Sequence, residues 1–502
     1  MHALIKLLLR ALLVAGLTRI APAADSDGVL PNNNTADGAG VLISLTSGVS
    51  NSGFGFQALN HDTSGSNNTA DGARALFSNT TGGSNTALGV NALYYNTSGN
   101  NNTATGTKAL YKNTIGYSNT ASGVFALGSN TGGHDNCAFG LYSLLNNTTG
   151  SFNLAVGQGA MQVNTTGSEN AAVGRWALFF NTNGRYNSAF GNGALLNNSV
   201  GNYNVAVGFA ALNHSDSNNN TAVGYNALYS NTNGGGSTAV GFQALYSNTS
   251  GYRNNGVGVG ALFSNQTGHY NNALGTNGLG QTTSGSGNNA IGDSALAANV
   301  SGSANTAIGD AAGYYITGSG NVCIGADVSG VAGENYTTRI KNISSTPISS
   351  NYLTVVVDNG GDRLGYASSS RRYKKDIEPM ADASAAVFRL QPVSYRGKDD
   401  SESNGAKSYG LIAEEVAQAA PDLVAFNRDG EAETVRYDAV NAMLLNEFLK
   451  EHERVQELRT SDTEQKKRIA RLEEQLREQA EAIRKVSERV DLSAPQLVAT
   501  KR

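Results

Sequence analysis

"NTALG", residues 85–89, returns as "NTATG" at 102–106, "NTASG" at 119–123, "NCAFG" at 136–140 and "NLAVG" at 153–157. The step is 17 residues. It runs back to Asn34, Asn51 and Asn68. It runs forward through Asn170, Asn187, Asn204, Asn220, Ser237, Asn254, Asn271, Asn288, Asn305 and Asn321. That makes 18 copies, with two steps of 16 residues among the steps of 17. Self-similarity at a fixed short period marks a repeat architecture.

Each position carries a physical demand. The fifth residue is Gly in every copy, from Gly38 to Gly325, which asks for positive φ or close backbone approach. The third is always small: Ala nearly throughout, Gly53 and Gly256, and Cys323 at the end. Eight residues after the Asn stands one large apolar residue, as in Leu76, Leu93, Leu110, Leu127, Leu144 and Met161. "NTSG", "NTTG" and "NTNG" between units are turn chemistry. The pattern predicts two short strands and two turns per unit. One unit cannot bury its own Leu, whereas stacked units can, as a parallel β-solenoid over residues 34–329. At a coil spacing of ~4.8 Å the stack is roughly 85 Å long. The recurring Asn is expected to form a ladder along it. Disorder would account for the Gly, Asn and Ser content but not for the fixed register of Leu and Ala. The many Asn-x-Ser/Thr triplets and "GVGVGAL" at 256–262 follow from the repeat. They are read as structural, not as glycosylation sites or a phosphate loop.

The units "NTAVG" at 220–224 and "STAVG" at 237–241 resemble the left-handed parallel β-roll of YadA-like trimeric adhesin heads. The resemblance implies a mainly β fold with three chains side by side. One roll per chain and an intertwined triple helix both remain open.

The bulk numbers set limits. Charged residues are 15% of the 502, and most follow residue 370. Net charge is −4, so no basic field points to nucleic acid. "ALIKLLLRALLVAGL" at 3–17, followed by Ala21-Pro22-Ala23, predicts a signal peptide over 1–23. The protein is therefore expected to be exported, at the cell surface or outside the cell. Residues 24–33 are an N-terminal segment before the repeats. No stretch after the signal reads as a transmembrane helix. Cys137 and Cys323 are the only cysteines. They fall on the order of 50 Å apart along such a stack, against the ~7 Å a disulfide allows. Both are expected to be small core residues.

Past Gly325 the period is lost. "ENYTTRI" at 334–340 and "YLTVVVDNGG" at 352–361 predict short strands of a neck or linker over 330–368. "SSSRRYKKDI" follows at 368–377, then "LQPVSYR" at 390–396, "GLIAEEV" at 410–416, "PDLV" at 421–424 and "TVRYDAV" at 434–440. In this order the motifs resemble the intramolecular chaperone domain that ends phage tailspikes, endosialidases and many bacterial surface fibres. That domain is also a self-cleaving serine peptidase, and here it covers 369–437. The resemblance implies a Ser–Lys dyad. Ser369 takes the nucleophile position, Lys374 the base, and Ser368–Ser369 the scissile bond. Ser370 stands where many members have Asp, and Arg372 and Ile377 complete the motif. A slipped register, Ser370 with Lys375, loses the Arg and Ile matches. A serine hydroxyl needs a base, and a lysine serves only when neutral. Arg371, Arg372 and Lys375 surround Lys374 with like charge, so desolvation on folding is expected to favour its neutral form.

Residues 438–491 predict one long helix, with a short tail at 492–502. Val455, Leu458, Ile469, Leu472, Leu476, Ile483, Val486 and Val490 fall on a heptad seam. The spacing predicts a coiled coil without deciding between two and three strands; the resemblance implies three. The whole chain then reads as an exported, adhesin-like trimeric surface fibre. Its chaperone end drives trimer folding and releases itself by one cut. A spacer fibre with an uncleaved trimerisation cap and a phage-type tail fibre are the competing readings. No cofactor and no metal are expected. The expected partners are two further copies of the chain and a surface ligand, a glycan or a cell-surface receptor.

Overall fold

The computed structural model describes residues 28–343, 355–358, 363–366, 368–396, 407–427 and 429–491. The expected signal peptide and the 492–502 tail lie outside these. The chain divides into two compact units, Met1–Thr346 and Pro347–Arg502, each described by itself.

In the first unit every repeat contributes one short strand, four residues in the first and three in the others. Thr86–Leu88 pairs in parallel with Thr103–Thr105, Ala87 beside Ala104, and the same register runs to Val322–Ile324. Side chains alternate across a strand. The central Ala therefore points inward and is fully buried, while its two neighbours face out. The roll is built by one chain, since each strand pairs with the next copy along the same sequence. The small third position is thus set by the interior of the coil.

The fifth-position Gly turns the chain. Gly89 has φ +136°, and a Cβ there would lie 2.8 Å from the carbonyl of Gly106 in the next coil. Both reasons for an obligatory glycine hold at once.

The second strand expected in each unit does not form. Asn91 and Leu93 have φ of +58° and +50°, so this side of the coil zigzags instead of extending. Its amides are still satisfied. Those of Gly89 and Asn91 donate to Asp71 and Ala73 of the preceding coil, at 2.8 and 3.0 Å. Those of Leu93 and Tyr95 donate to Ala109 and Tyr111 of the following one, at 3.0 and 3.1 Å. A left-handed Leu costs about 1–2 kcal/mol. Complete burial of its side chain returns about 1.5–3 kcal/mol, and Leu59 through Leu245 fill the lumen this way with Met161 in the same column.

Two columns of buried Asn flank the lumen. In the first, Asn85 Nδ2 donates to the carbonyl of Gly99 at 2.8 Å, and its Oδ1 accepts the amide of Asn102 at 3.0 Å. In the second, Asn96 Nδ2 donates to Asn79 Oδ1 at 2.8 Å and to the same Gly99 carbonyl at 3.0 Å. An amide side chain offers a donor and an acceptor at once and reaches both partners, whereas ionised Asp has no donor and Leu has neither. Gly28–Leu30 adds an antiparallel strand on Asn34–Asp37 and covers that edge of the sheet.

Two expectations change. The repeat stack passes the boundary at residue 329: Thr338–Ile340 adds another parallel strand on Val322–Ile324. Arg339 stands where Ala stood; this strand is exposed along its length, which leaves the side chain room, and Glu334 pairs with it at 2.6 Å. Cys323 is a buried core residue as expected. Cys137 instead stands at the second repeat position, half-buried on the outer side of its strand. Both thiols are free.

The second unit holds three antiparallel hairpins: Val355–Asp358 with Arg363–Tyr366, Val393–Tyr395 with Ser408–Gly410, and Val424–Phe426 with Ala432–Val435. Helix α1 spans Ala413–Ala419 and helix α2 spans Tyr437–Asp491. At 1.5 Å per residue α2 is about 80 Å long. No helix among the described residues is long and apolar enough to cross a membrane.

Candidate functional site

"SSSRRYKKDI" folds as a single 3-10 turn, Arg371–Tyr373. Ser370 accepts the amide of Tyr373 through its carbonyl at 3.0 Å, and Arg371 accepts that of Lys374 at 3.2 Å. The amide of Ser370 donates to Ser368 Oγ at 3.2 Å. Arg372 Nε donates to Ser370 Oγ at 3.3 Å, and its guanidinium lies 5.7 Å from the Tyr373 ring centre. Ser370 thus supplies an acceptor for Arg372, the role a carboxylate could also fill.

The turn separates the two candidate catalytic groups. Ser369 precedes it and Lys374 closes it, and both side chains are exposed. No hydrogen bond joins Ser369 Oγ to Lys374 Nζ among the described residues, whereas a working base must come within hydrogen-bond reach of its nucleophile. The fold of one chain does not supply the desolvation expected for Lys374. Ile377, the end of the motif, is 51% exposed.

The other motifs find their reason in the core of the unit. Val416, Leu423, Val424, Val435 and Val440 form one buried cluster with Ala420. They come from "GLIAEEV", "PDLV" and "TVRYDAV". Tyr437 Oη accepts the amide of Leu411 at 3.0 Å. A Cβ on Gly410 would lie 2.8 Å from that same oxygen, so a side chain there displaces the bond. The amide of Arg436 donates to the Leu423 carbonyl at 2.8 Å.

A second serine stands in a polar cluster that the sequence did not reveal. Ser384, on the 3-10 segment Ala381–Arg389, is fully buried against α2. Its Oγ lies 2.5 Å from Glu447 Oε1, and it accepts Asn446 Nδ2 at 2.7 Å and Lys450 Nζ at 3.4 Å. Lys450 also bonds Glu447 at 2.8 Å and Asp382 at 3.4 Å. The hydrogen bond to Glu447 raises the Lys450 ammonium above its ordinary value, and the bond from Lys450 lowers the Glu447 carboxyl. The bonds to Glu447 and Asp382 thus favour the charged form of Lys450. The cluster fastens the 3-10 segment to α2. The only sequence trace of it is Glu447 and Lys450 at helical spacing.

Residues 369–425 match the peptidase S74 family described as chaperone of endosialidase. The match begins at Ser369 and takes in every motif of the unit up to "PDLV". No curated protein and no solved structure matches this chain. A segment that matches the chaperone-of-endosialidase family therefore follows a parallel β-solenoid in one polypeptide.

Proposed function

We propose that this chain is an exported surface fibre whose C-terminal domain gathers three copies during folding and then cuts itself free between Ser368 and Ser369. The observation that carries this reading is the family match starting at Ser369, in the unit that ends in a 55-residue helix with a bare apolar seam. Leu458, Leu472 and Leu476 on that helix are about half exposed or more in the single chain. Such a seam is stabilised by pairing with further helices.

The gain is kinetic. Every coil resembles the next, so repeat chains can pair in many slipped registers. A helical end that brings the copies together in register removes most wrong starts. The rolls also offer a surface for association. The fourth repeat position faces out and is apolar without a break from Phe139 through Val207 to Ile324. A second copy repeats at the same axial spacing.

Cleavage would proceed by attack of Ser369 Oγ on the Ser368 carbonyl carbon while neutral Lys374 accepts the hydroxyl proton. The C–N bond breaks as the ester forms, and the proton passes to the departing amine. Water then hydrolyses the ester to a Ser368 carboxylate and restores the Ser369 hydroxyl. Because Ser369 and Lys374 are exposed and unbonded in one chain, closure of the dyad and desolvation of Lys374 are assigned to the assembled state. That same exposure favours the second reading, an uncleaved trimerisation cap.

The test is intact mass under denaturing conditions of residues 24–502, made as wild type and as Ser369→Ala. A fragment of residues 369–502 from the wild type alone supports self-cleavage. If both proteins stay whole, the cap reading stands.

A further inference from the structure

We propose that the first unit carries a saccharide-binding notch where the repeat shortens between Asn204 and Asn220, built for one pyranose unit of a neutral glycan.

The last residue of each coil forms a column along one corner of the roll. Tyr186, Tyr203, Asn219, Gly236, Arg253 and Tyr270 occupy it in succession, all at φ between +55° and +70°. Tyr186 and Tyr203 stack with ring centres 4.9 Å apart and planes 2° from parallel. The stack then stops for two levels, at Asn219 and Gly236, and tall side chains resume with Arg253 and Tyr270. Tyr203 and Arg253 are three coils apart, so the gap is about 14 Å between backbones.

The shortened coil deepens this gap. Its turn, Asp216–Ser217, replaces the longer turn seen one coil earlier at Ser199–Gly201. Together the two effects leave a depression of about 610 Å³, lined among others by Asp216, Asn219, Asn233, Tyr252, Arg253 and Tyr270. Gly235 and Gly236 leave its floor without side chains.

The chemistry of the lining selects the ligand class. Tyr252 and Tyr270 are exposed and meet edge to face at 5.3 Å. Tyr252 is held from behind by His269, stacked at 4.2 Å. A fixed aromatic plate of this kind suits the C–H face of a sugar ring. Arg253 Nη1 donates to Tyr270 Oη at 3.2 Å, which fixes the guanidinium on the same wall as Tyr252. The side-chain amides of Asn219 and Asn233 make no hydrogen bond among the described residues, and both are exposed at the notch. Asp216 spends Oδ1 on the amides of Ser199 and Val200, at 2.5 and 3.3 Å, and so is fixed in place. Amides and a carboxylate offer the paired donors and acceptors that adjacent hydroxyls require. One carboxylate and one guanidinium leave the notch with no net charge. That favours a neutral saccharide over a sulfated or acidic one. The lining is too polar for an apolar peptide anchor.

The column supplies its own test. Tyr203 and Tyr270 show that this backbone position accepts tyrosine, so Gly236→Tyr refills the gap without altering the coil. Gly287, in the same column one coil beyond Tyr270 and at φ +69°, provides Gly287→Tyr as a control outside the notch. The full chain is applied to a printed array of neutral and acidic oligosaccharides, with free galactose and free N-acetylglucosamine as competitors. The expected result is binding to a set of neutral glycans that a free sugar competes away. It should weaken at least tenfold in Gly236→Tyr and Tyr252→Ala and stay unchanged in Gly287→Tyr. Circular dichroism confirms that each variant is folded. Three results overturn the proposal: no binding by the wild type, equal binding by Gly236→Tyr, or binding confined to acidic glycans and abolished by salt. None depends on self-cleavage, which the mass measurement reads separately.

Discussion

The carboxylate of Asp62 accepts the side-chain amide of Asn79, Oδ1 to Nδ2, at 3.2 Å. Asp62 stands in the second Asn column, one coil before Asn79, and each level from Asn79 to Asn198 places Asn on Asn. Oδ1 also takes the amide of Gly65 at 2.9 Å, but Oδ2 is buried with no partner. Burial raises this carboxyl from 3.8 to about 6, against the opposing pull of Gly65 and Asn79.

The sign of the pH dependence follows. The folded state holds the proton more tightly than the unfolded chain, so the stabilising contribution is fully present below about pH 4. It is lost as pH rises through about 6. Asp62→Asn restores a donor that can reach the Gly65 carbonyl, as Asn79 reaches Gly82. At pH 8 the variant should be more stable by on the order of 1 kcal/mol locally. At pH 4 the difference should shrink or reverse. Hydrogen exchange of residues 55–85, corrected for intrinsic rates at each pH, measures this. Equal protection of both proteins at pH 8 would count against it.

Glycine substitutions should divide by position in the repeat. Gly89→Ala places a Cβ 2.8 Å from the Gly106 carbonyl, at φ +136°. Backbone cannot yield as a flexible side chain does, so a loss of about 2–4 kcal/mol is expected. Gly132→Ala meets nothing closer than 3.6 Å, the Ile115 side chain, and has no positive φ. It should stay within about 0.5 kcal/mol. Urea midpoints of the two variants decide the matter, and similar midpoints would falsify the packing argument.

Ser384 should matter for stability and not for chemistry. Ser384→Ala removes the buried hydroxyl that the half-buried Glu447 and Asn446 share, while both keep a second partner, so the cost of losing the Ser384 bonds should be about 0.5–1.5 kcal/mol. Any fragment beginning at Ser369 should still appear once the variant has folded. Loss of that fragment from a folded Ser384→Ala protein would move the nucleophile away from Ser369. Chemical denaturation and intact mass on the same sample give both readings.

How much of this was legible in the sequence depends on the kind of constraint. An invariant Gly or a small third position leaves no alternative side chain to blur the signal, so the coil, its register and the first Asn column could be read directly. The second Asn column was hidden because "NTSG" has the composition of an exposed turn, although Asn96 is buried. The missing second strand was hidden because Leu is a poor choice for positive φ. Only the tightness of the lumen, which burial of that Leu offsets, requires it. The coil at Thr338–Ile340 was masked by Arg339, which a small-residue rule rejects and which the exposure of this strand admits. In the second unit the family motifs gave the core and the candidate Ser369 and Lys374. The Ser384 cluster joins residues more than sixty apart in sequence, beyond the reach of any local pattern.

Assembly and cleavage should fail together if the dyad closes only among copies. Leu472 and Leu476 lie on the α2 seam and touch nothing that the single chain needs to fold, since both are exposed. Leu472→Lys with Leu476→Lys puts charge into any helix pairing, at a cost of several kcal/mol to the assembly and almost none to the lone helix. The expected outcome in sedimentation is a shift from trimer to monomer. In the same sample the mass fragment beginning at Ser369 should disappear, although Ser369 and Lys374 are intact. Cleavage by a monomeric double variant would show that one chain closes the dyad alone, and that the exposure of Lys374 is relieved by motion within the chain.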